Sequence, residues 1–355
     1  MGGGRCQWLI PRLVAKAIQL THYLYMNILV FGKNGQLGRA FQALLDSRLP
    51  GLADKPKIQY VGRSECDLSD AAALSVVLNQ FQPNLIINAS AYTAVDKAET
   101  ELDLAFAINA KAPEIMAQYA VEHGATLLHY STDYVFDGEK YGYYLEDDMR
   151  NPLGVYGKSK AAGEAAIASI FASSASSNGG GQYAVFRTSW VYGEGGNFIR
   201  TILRLAKDRE ELKVINDQYG VPTNASWLAQ VSLDLLADEN LKIRKFSSGI
   251  YHAVPAGETT WHDLAVVTVQ AAMDAGASLK VVPQAIKPIP ALEYPLLAPR
   301  PMNSRMSTDK LRIALVKSIS NASNSYNNVT GIVEFPGWDG MVREYVSRLV
   351  RDKLI

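Results

Sequence analysis

Tyr156 and Lys160 are the two residues of this chain whose types and spacing point most directly to chemistry. They are four residues apart in a segment with a helical pattern, so the phenol and the ammonium lie on one face of a helix. A free tyrosine has a pKa of about 10, which is too high for easy proton exchange at neutral pH. Because a nearby ammonium favours the phenolate, we expect Lys160 to lower the pKa of Tyr156 and the pair to transfer protons.

A glycine-rich loop, Gly32-Lys-Asn-Gly35-Gln-Leu-Gly38, lies directly between an apolar strand and a helix. In this context Gly32 allows a tight turn, Gly35 lets the backbone approach a pyrophosphate, and Gly38 allows close packing of helix on strand. The N-terminus of the helix offers free N–H groups to the phosphates. The loop therefore predicts a dinucleotide site, to which we assign Gly32, Asn34, Gly35, Gln36, Leu37 and Gly38.

The end of the second predicted strand bears on the choice of dinucleotide. An acidic residue there binds the ribose hydroxyl of NAD, whereas a basic residue accommodates the 2′-phosphate of NADP. The strand ends with Gly62-Arg63-Ser64 before Glu65, which favours NADPH, with NADH possible. Arg63 could also be a solvated surface charge, and Asp67, followed by Leu68, could contact the adenine or cap the next helix. We assign Arg63, Ser64, Asp67 and Leu68 to the cofactor site.

Strands and helices alternate from Met26 onward, which predicts an α/β fold of the Rossmann type. It consists of a doubly wound parallel sheet with a smaller C-terminal substrate-binding lobe. The predicted strands are 27–31, 58–61, 84–88, 126–130 and 183–187, and the predicted helices are 36–45, 71–81, 104–123, 156–171, 197–207 and 227–237. We divide the chain into an N-terminal extension outside the fold (1–25), an NAD(P)-binding domain (26–190) and a mainly substrate-binding lobe (191–355).

The fourth predicted strand ends in Ser131-Thr132-Asp133, at the carboxyl edge of the sheet where open α/β folds bind ligands. Thr132 precedes Tyr156 by 24 residues, and its hydroxyl could polarise a substrate carbonyl. The alternative is an ordinary cap at the end of a strand.

Composition excludes several classes of protein. The formal net charge is +0, which gives no electrostatic reason to bind nucleic acid or an anionic membrane. Two cysteines make a disulfide framework implausible, and no apolar run is long enough for a transmembrane helix, so we expect a cytoplasmic protein.

Residues 1–25 are basic and lack a clean signal-peptide pattern. Residues 173–181 and 318–330 read as surface loops, and the sequons at Asn224, Asn321 and Asn328 carry no meaning without secretion.

The combined motifs resemble the extended short-chain dehydrogenases/reductases, and within them the dTDP-4-dehydrorhamnose reductase family. The resembling segments, from Met26 to about Lys310, are MNILVFGKNGQLG, INASAYTAVDKAE, HYSTDYVFDG, NPLGVYGKSKAAGE, FRTSWVYG, GNFIRTILRLAK, INDQYGVPT, YH followed by TTWHDLA, and RPMNSRM. The resemblance implies that Thr132, Tyr156 and Lys160 reduce the C4 ketone of dTDP-4-dehydro-β-L-rhamnose to give dTDP-L-rhamnose. It also implies that Lys160 holds the nicotinamide ribose of the cofactor.

Other site residues follow from the same resemblance. Ala91 and Tyr92 are expected beside the cofactor, and Asp133, Trp190, Asn197 and Arg300 are expected along the path of the sugar and diphosphate. Trp190 could equally be a core residue. Family members that dimerise around Mg²⁺ have a glutamate just after the glycine loop. Here that place reads Gly38-Arg39-Ala40, which makes a Mg²⁺ site doubtful, and we predict no metal ligand.

Two alternative functions stay open. One is a nucleotide-sugar dehydratase or epimerase on the same fold, although Thr132-Asp133-Tyr134 lacks the glutamate that typically follows in a dehydratase. The other is a non-catalytic NADP-binding regulatory subunit, which fold alone does not exclude. The intact Thr/Tyr/Lys set favours the enzyme, acting as a monomer or homodimer on a small nucleotide-sugar substrate.

Overall fold

The computed structural model describes residues 26–174, 180–320 and 333–355, and for residues 318–320 it describes only the backbone. The predicted N-terminal extension, the centre of the loop at 173–181 and the sequons at Asn321 and Asn328 lie outside the described residues.

A six-stranded parallel sheet forms the centre of the protein, with the strand order β2-β1-β3-β4-β5-β10. The strands are β1 (Asn27–Phe31), β2 (Lys57–Val61), β3 (Leu85–Asn88), β4 (Thr126–Thr132), β5 (Gln182–Thr188) and β10 (Gly249–His252). The order reverses between β1 and β3, and this switch point is where open α/β sheets bind ligands. The predicted doubly wound parallel sheet is confirmed.

Both faces of the sheet are covered by helices, as the apolar strands require. Along β1, Ile28 and Val30 belong to one buried cluster, whereas Leu29 and Phe31 belong to the cluster on the opposite face. The helices before residue 180 are α1 (Gln36–Arg48), α2 (Ala71–Phe81), α3 (Val95–Ala98), α4 (Leu102–Phe106), α5 (Ala112–His123) and α6 (Val155–Ser174).

The helix predicted over 104–123 is interrupted. Residues Ala107–Lys111 form a turn of π-helix between α4 and α5. Pro113 lies in the first turn of α5. Its missing N–H cannot bond the carbonyl of Asn109, which gives a physical reason for the wider turn at this point.

The second half contributes to both lobes. It contains α7 (Phe198–Asp208), α8 (Ala225–Leu236), α9 (Trp261–Asp274), α10 (Asp309–Ser320) and α11 (Trp338–Arg351), with short strands β6 (Val191–Tyr192), β7 (Leu212–Ile215), β8 (Tyr219–Gly220), β9 (Thr223–Asn224), β11 (Thr259–Thr260) and β12 (Ile286–Ile289). Helices α7, α9 and α11 share a separate apolar core. Helix α8, however, packs against α1, and β10 completes the central sheet. The division at residue 190 stays a prediction, and after that residue the chain returns to the central sheet through β10.

Candidate active site

The glycine loop between β1 and α1 has the geometry of a phosphate cradle. Gly32 has φ +89°, and a Cβ there would lie 2.7 Å from the carbonyl oxygen of Ala89. A Cβ on Gly38 would lie 2.0 Å from the oxygen of Gly32, so both positions require glycine. Helix α1 begins after Gly35 with no side-chain cap and no acidic residue in its first turn. Its N–H groups therefore suit a pyrophosphate, and the residues present fit a dinucleotide.

Other cradle residues fix the loop to the rest of the protein. Gln36 donates through Nε2 to the oxygen of Val191 at 3.3 Å and accepts from Asn197 Nδ2 at 3.2 Å. Leu37 is buried under the loop, and Asn34 is exposed. The side chain of Gln36 thus connects the cradle to the second lobe.

Two ion pairs lie at the end of β2. Arg63 donates through Nε to Asp67 at 3.2 Å, and its side chain is 71% exposed beside the exposed Ser64. Lys33, which the sequence reasoning did not single out, pairs with Glu65 at 2.7 Å. The hydrogen bond from Lys33 and that from the Gly62 N–H lower the pKa of Glu65 to about 2.

Asp67 does not cap the following helix. The residue that caps α2 is Asp70, which accepts from the N–H groups of Ala72 and Ala73. Asp67 instead accepts from the N–H and hydroxyl of Ser69, and these bonds lower its pKa. The side chain of Leu68 is buried in the apolar core on that face of the sheet.

Thr132 and Asp133 lie at the carboxyl end of β4, and both are buried. Thr132 donates through Oγ1 to Asp133 Oδ1 at 2.8 Å and accepts from the N–H of Tyr134 at 3.2 Å. Desolvation raises the pKa of Asp133 to about 6, although Ser304 and Thr132 act in the opposite direction. Among the described residues, the second oxygen of Asp133 has no hydrogen-bond partner. A buried acceptor without a partner is a point where a polar substrate group can bind.

Tyr156 stands beside Thr132 at the start of α6. Its ring contacts Tyr134 edge to face with 5.5 Å between centroids. Desolvation raises the pKa of Tyr156 to about 12; a hydrogen bond with Thr132 lowers the pKa, and the charge of Asp133 raises it. Lys160 does not contribute to this shift. The expectation that Lys160 lowers the pKa of Tyr156 is therefore wrong for this structure, because burial outweighs the other effects.

The Lys160 side chain is 1% exposed and points into the sheet. Its ammonium nitrogen is bonded to the carbonyl oxygen of Tyr130 and lies 3.3 Å from His129 Nε2. Desolvation lowers the pKa of Lys160 to about 7, while the charge of Glu164 acts in the opposite direction. His129 was not predicted from the sequence, because nothing local to it distinguishes it from a core histidine.

Ala91 and Tyr92 follow β3 and are held by another residue that the sequence reasoning missed. Asn109, in the π-helical turn, accepts from the N–H of Tyr92 at 2.9 Å and donates to the carbonyl of Tyr92 at 3.0 Å. It also donates to Ser159 Oγ at 3.0 Å, on α6. Asn109 therefore joins the loop after β3 to the helix that carries Tyr156. The sequence signal that could have indicated Asn109 is its position four residues before Pro113, which interrupts the predicted helix.

The residues predicted to bind the sugar and diphosphate are partly engaged with protein groups. Asn197 caps α7 by accepting from the N–H of Arg200 at 3.0 Å, and its amide also donates to Tyr345 Oη at 3.1 Å. Trp190 has φ +48°, a strained conformation for a tryptophan, and stacks on Trp261 with 3.7 Å between ring centroids. The guanidinium of Arg300 is paired with Asp96. The structure thus gives Asn197 and Arg300 structural contacts, and their contact with substrate stays a prediction.

Among the described residues, no group of three or more His, Cys, Asp or Glu side chains could hold a metal ion. Within the same part of the chain, no helix is long and apolar enough to cross a membrane.

A parallel sheet with a glycine cradle at its switch point, and a Thr/Tyr/Lys set at its carboxyl edge, defines a short-chain dehydrogenase/reductase of the extended type. The chain belongs to the family described as the RmlD substrate binding domain, whose profile matches residues 26–330. The predicted resemblance is thereby confirmed.

Named relatives agree with this assignment. The dTDP-4-dehydrorhamnose reductase of Shigella flexneri is 42% identical over 289 residues, covering 81% of this chain and 91% of the relative. The crystal structure of a dTDP-4-dehydrorhamnose reductase from Clostridium acetobutylicum aligns with a TM-score of 0.74 and 32% identity, over 91% of this chain and 99% of that one. A Bacillus anthracis dTDP-4-dehydrorhamnose reductase in complex with NADP aligns with a TM-score of 0.72 and 28% identity, over 90% and 98% of the two chains.

Proposed function

We propose that this protein is an NADPH-dependent reductase that converts the C4 ketone of dTDP-4-dehydro-β-L-rhamnose into the alcohol of dTDP-L-rhamnose. The observation that carries the proposal is that the phenol of Tyr156 lies close enough to Thr132 and Asp133, at the carboxyl edge of the sheet, for both to affect its pKa. Both hydroxyls belong to the same sheet edge as the glycine cradle, where a ketone and a dinucleotide can meet. The relatives named above support the choice of substrate.

The cofactor would be held by the cradle and by the end of β2. Backbone N–H groups from Gly35 onward suit the pyrophosphate, and Arg63 and Ser64 are the donors for a 2′-phosphate. When bound, NADPH supplies the hydride that reduces the ketone carbon. The structure of a Bacillus anthracis relative in complex with NADP supports NADPH, and NADH stays an alternative.

The roles of the protein residues follow from their protonation states. A phenol with a pKa of about 12 is fully protonated at neutral pH, so Tyr156 has the proton that a reduction requires. The hydroxyl of Thr132 donates its proton to Asp133, and its oxygen can accept from that phenol and so orient it. Asp133 offers an unpartnered oxygen to a sugar hydroxyl, and Trp190, Asn197 and Arg300 complete the proposed substrate path. The enzyme would act in the cytoplasm as a monomer or homodimer.

The test is an assay of the purified full-length protein with dTDP-4-dehydro-L-rhamnose and each reduced cofactor in turn. Oxidation of NADPH together with formation of dTDP-L-rhamnose is the expected result. Consumption of the sugar nucleotide without net oxidation of cofactor would favour an epimerase or dehydratase. Tight NADPH binding with no turnover of any keto-sugar nucleotide would favour a regulatory subunit.

A further inference from the structure

A cavity of about 350 Å³ lies in the second lobe, and none of the residues assigned above to the cofactor or the substrate lines it. Cavities of this size hold small ligands in many proteins. This one lies between helix α7 and the segment that follows helix α11. Its lining includes Arg200, Thr201, Arg204, Lys207, Leu354 and Ile355. The reaction proposed above gives these residues no role.

Three of the lining residues are cations on one side of α7. Arg200, Arg204 and Lys207 follow one another at spacings of four and three residues, so their side chains lie on successive turns of the same helix face. Because a helix rises by about 1.5 Å per residue, the first and the last of them are about 10 Å apart along the axis. One wall of the cavity is therefore an elongated row of positive charge.

The protein does not neutralise this row. In the part of the chain that the structure describes, none of the three cations forms an ion pair, and Arg204 and Lys207 also lack side-chain hydrogen bonds. Asp208 follows Arg204 by four residues and is exposed, but the two do not pair. Like charges on successive turns of a helix repel each other. An anion bound between the three cations would offset that repulsion.

The guanidinium of Arg200 is already held in place. Its Nε donates to Tyr345 Oη at 3.3 Å, and its Nη1 donates to the carbonyl oxygen of Leu354 at 3.4 Å. Its other terminal nitrogen, Nη2, has no partner among the described residues. A guanidinium that is fixed on one side and free on the other loses little conformational freedom when it binds an anion. The cavity is thus partly preorganised for a negatively charged ligand.

We propose that this cavity binds a small molecule that carries a chain of two or three linked phosphates. Guanidinium groups bind phosphate oxygens through two parallel N–H donors, and a lysine binds phosphate as a point charge. A single phosphate is too short to reach all three cations, whereas a chain of phosphates extends along the row. Leu354 and Ile355 add an apolar wall for an organic part such as a nucleoside. The inference goes beyond the reaction proposed above and does not depend on it.

Hydrogen bonds connect this cavity to the glycine cradle. Tyr345 Oη, which accepts from Arg200, also accepts from Asn197 Nδ2 at 3.1 Å, and the same amide donates to Gln36 Oε1 at 3.2 Å. A substitution of Arg200 would therefore disturb the cradle together with the cavity. Arg204 and Lys207 are exposed and lie outside that network, so their replacement tests the cavity alone.

The test is a calorimetric titration of the full-length protein with sodium tripolyphosphate. Arg204→Ala/Lys207→Ala removes two of the three cations, and Lys55→Ala/Lys242→Ala, the matched control, removes the same charge from exposed lysines outside the cavity. We expect the control to bind like the wild type and the cavity variant to bind at least about tenfold more weakly, because two charge-assisted contacts are lost. The difference between the two double variants separates this site from the glycine cradle, which also suits phosphates.

Equal affinities of the two double variants would overturn the proposal, because any binding would then reflect overall charge or the cradle. It would also be overturned by a wild-type protein that gives no heat of binding and no rise in melting temperature with tripolyphosphate. If the cavity variant does not fold, Arg204→Gln asks the same question with a smaller change. None of these measurements needs the sugar nucleotide, so a failure of the proposed reaction is distinguishable.

Two further titrations define the ligand. Inorganic phosphate should bind at least about tenfold more weakly than tripolyphosphate, since it reaches fewer cations, and equal affinity for the two would contradict a site for a phosphate chain. ATP presents the same chain on a nucleoside. Tighter binding of ATP than of tripolyphosphate would support a nucleotide as the ligand, and equal binding would support recognition of the phosphate chain alone.

Discussion

Arg300 donates through both terminal nitrogens to the carboxylate of Asp96, at 2.7 and 2.8 Å, and so joins two segments 204 residues apart. Asp96 lies in the short helix α3 after β3, and Arg300 lies in the loop of the RPMNSRM segment. Hydrogen bonding to Arg300 lowers the pKa of Asp96 to about 2. In this structure the guanidinium predicted to meet a substrate phosphate thus holds the loop from the second half against the Rossmann domain.

The first prediction is a measurable coupling between Arg300 and Asp96. A cycle of Arg300→Ala, Asp96→Ala and the double variant should give a coupling of about 1–2 kcal/mol in the free energy of unfolding, because a bidentate and half-buried pair exceeds a surface pair. The control is the exposed pair Arg63–Asp67, whose cycle should give at most about 0.5 kcal/mol. Equal coupling in the two cycles would contradict a structural role for Arg300.

A second prediction distinguishes the packing role of Gly38 from the phosphate-binding role of Gly35. Gly38→Ala places a Cβ 2.0 Å from a backbone oxygen, so it should destabilise the fold by more than about 2 kcal/mol in urea unfolding. Gly35→Ala is the matched control, since its Cβ would lie 3.4 Å from the nearest atom. That variant should stay close to wild-type stability while the dissociation constant for NADPH rises. If Gly38→Ala is as stable as Gly35→Ala, the close packing of α1 on the loop is not as described.

Cofactor choice should depend on Arg63, the exposed cation at the end of β2. Arg63→Ala should weaken NADPH binding by about 1–3 kcal/mol, the size of a charge-assisted hydrogen bond, and leave NADH nearly unchanged. Titration of protein fluorescence with each cofactor measures both constants, and Arg63→Lys tests whether charge alone suffices. Equal losses for the two cofactors would remove Arg63 from the 2′-phosphate site.

Asp133 should make stability depend on pH in an unusual direction. Its folded pKa of about 6 lies above the ordinary value of 3.8, so the protonated form stabilises the fold at low pH and this contribution is lost as pH rises through 6. Asp133→Asn removes the titration, and its stability relative to wild type should therefore increase by about 2–3 kcal/mol between pH 4 and 7.5. Asp137→Asn is the control with opposite sign, because bonds from the N–H of Glu139 and from other donors lower the pKa of Asp137. A pH-independent difference for Asp133→Asn would contradict the raised pKa that burial gives this carboxylate.

The sequence predicted the sheet well because its strands are short apolar runs. For β1 to β5, each predicted strand begins and ends within two residues of the observed strand. The agreement is close because buried parallel strands have a strong local signal. The sixth strand, β10, was missed. Its four residues, Gly249–His252, are partly exposed at one end and follow an irregular segment.

The rest of the site depends on contacts that no local pattern encodes. Asn109 reaches Tyr92 only because the helix widens before Pro113, and His129 meets Asn88 only through the register of two strands. The pKa of Tyr156 was predicted in the wrong direction, because the i,i+4 spacing to Lys160 says nothing about burial. The side chain of Lys160 is instead bonded to the backbone of Tyr130.

The central claim is that Tyr156 donates the proton that completes the reduction. Tyr156→Phe keeps the ring and its packing against Tyr134 but removes the exchangeable proton next to Thr132. We therefore measure kcat for dTDP-4-dehydro-L-rhamnose, with the dissociation constant for NADPH as the control. We expect kcat to fall by roughly 10²–10⁴-fold, with cofactor binding almost unchanged. A Tyr156→Phe protein with near-normal kcat would contradict the account.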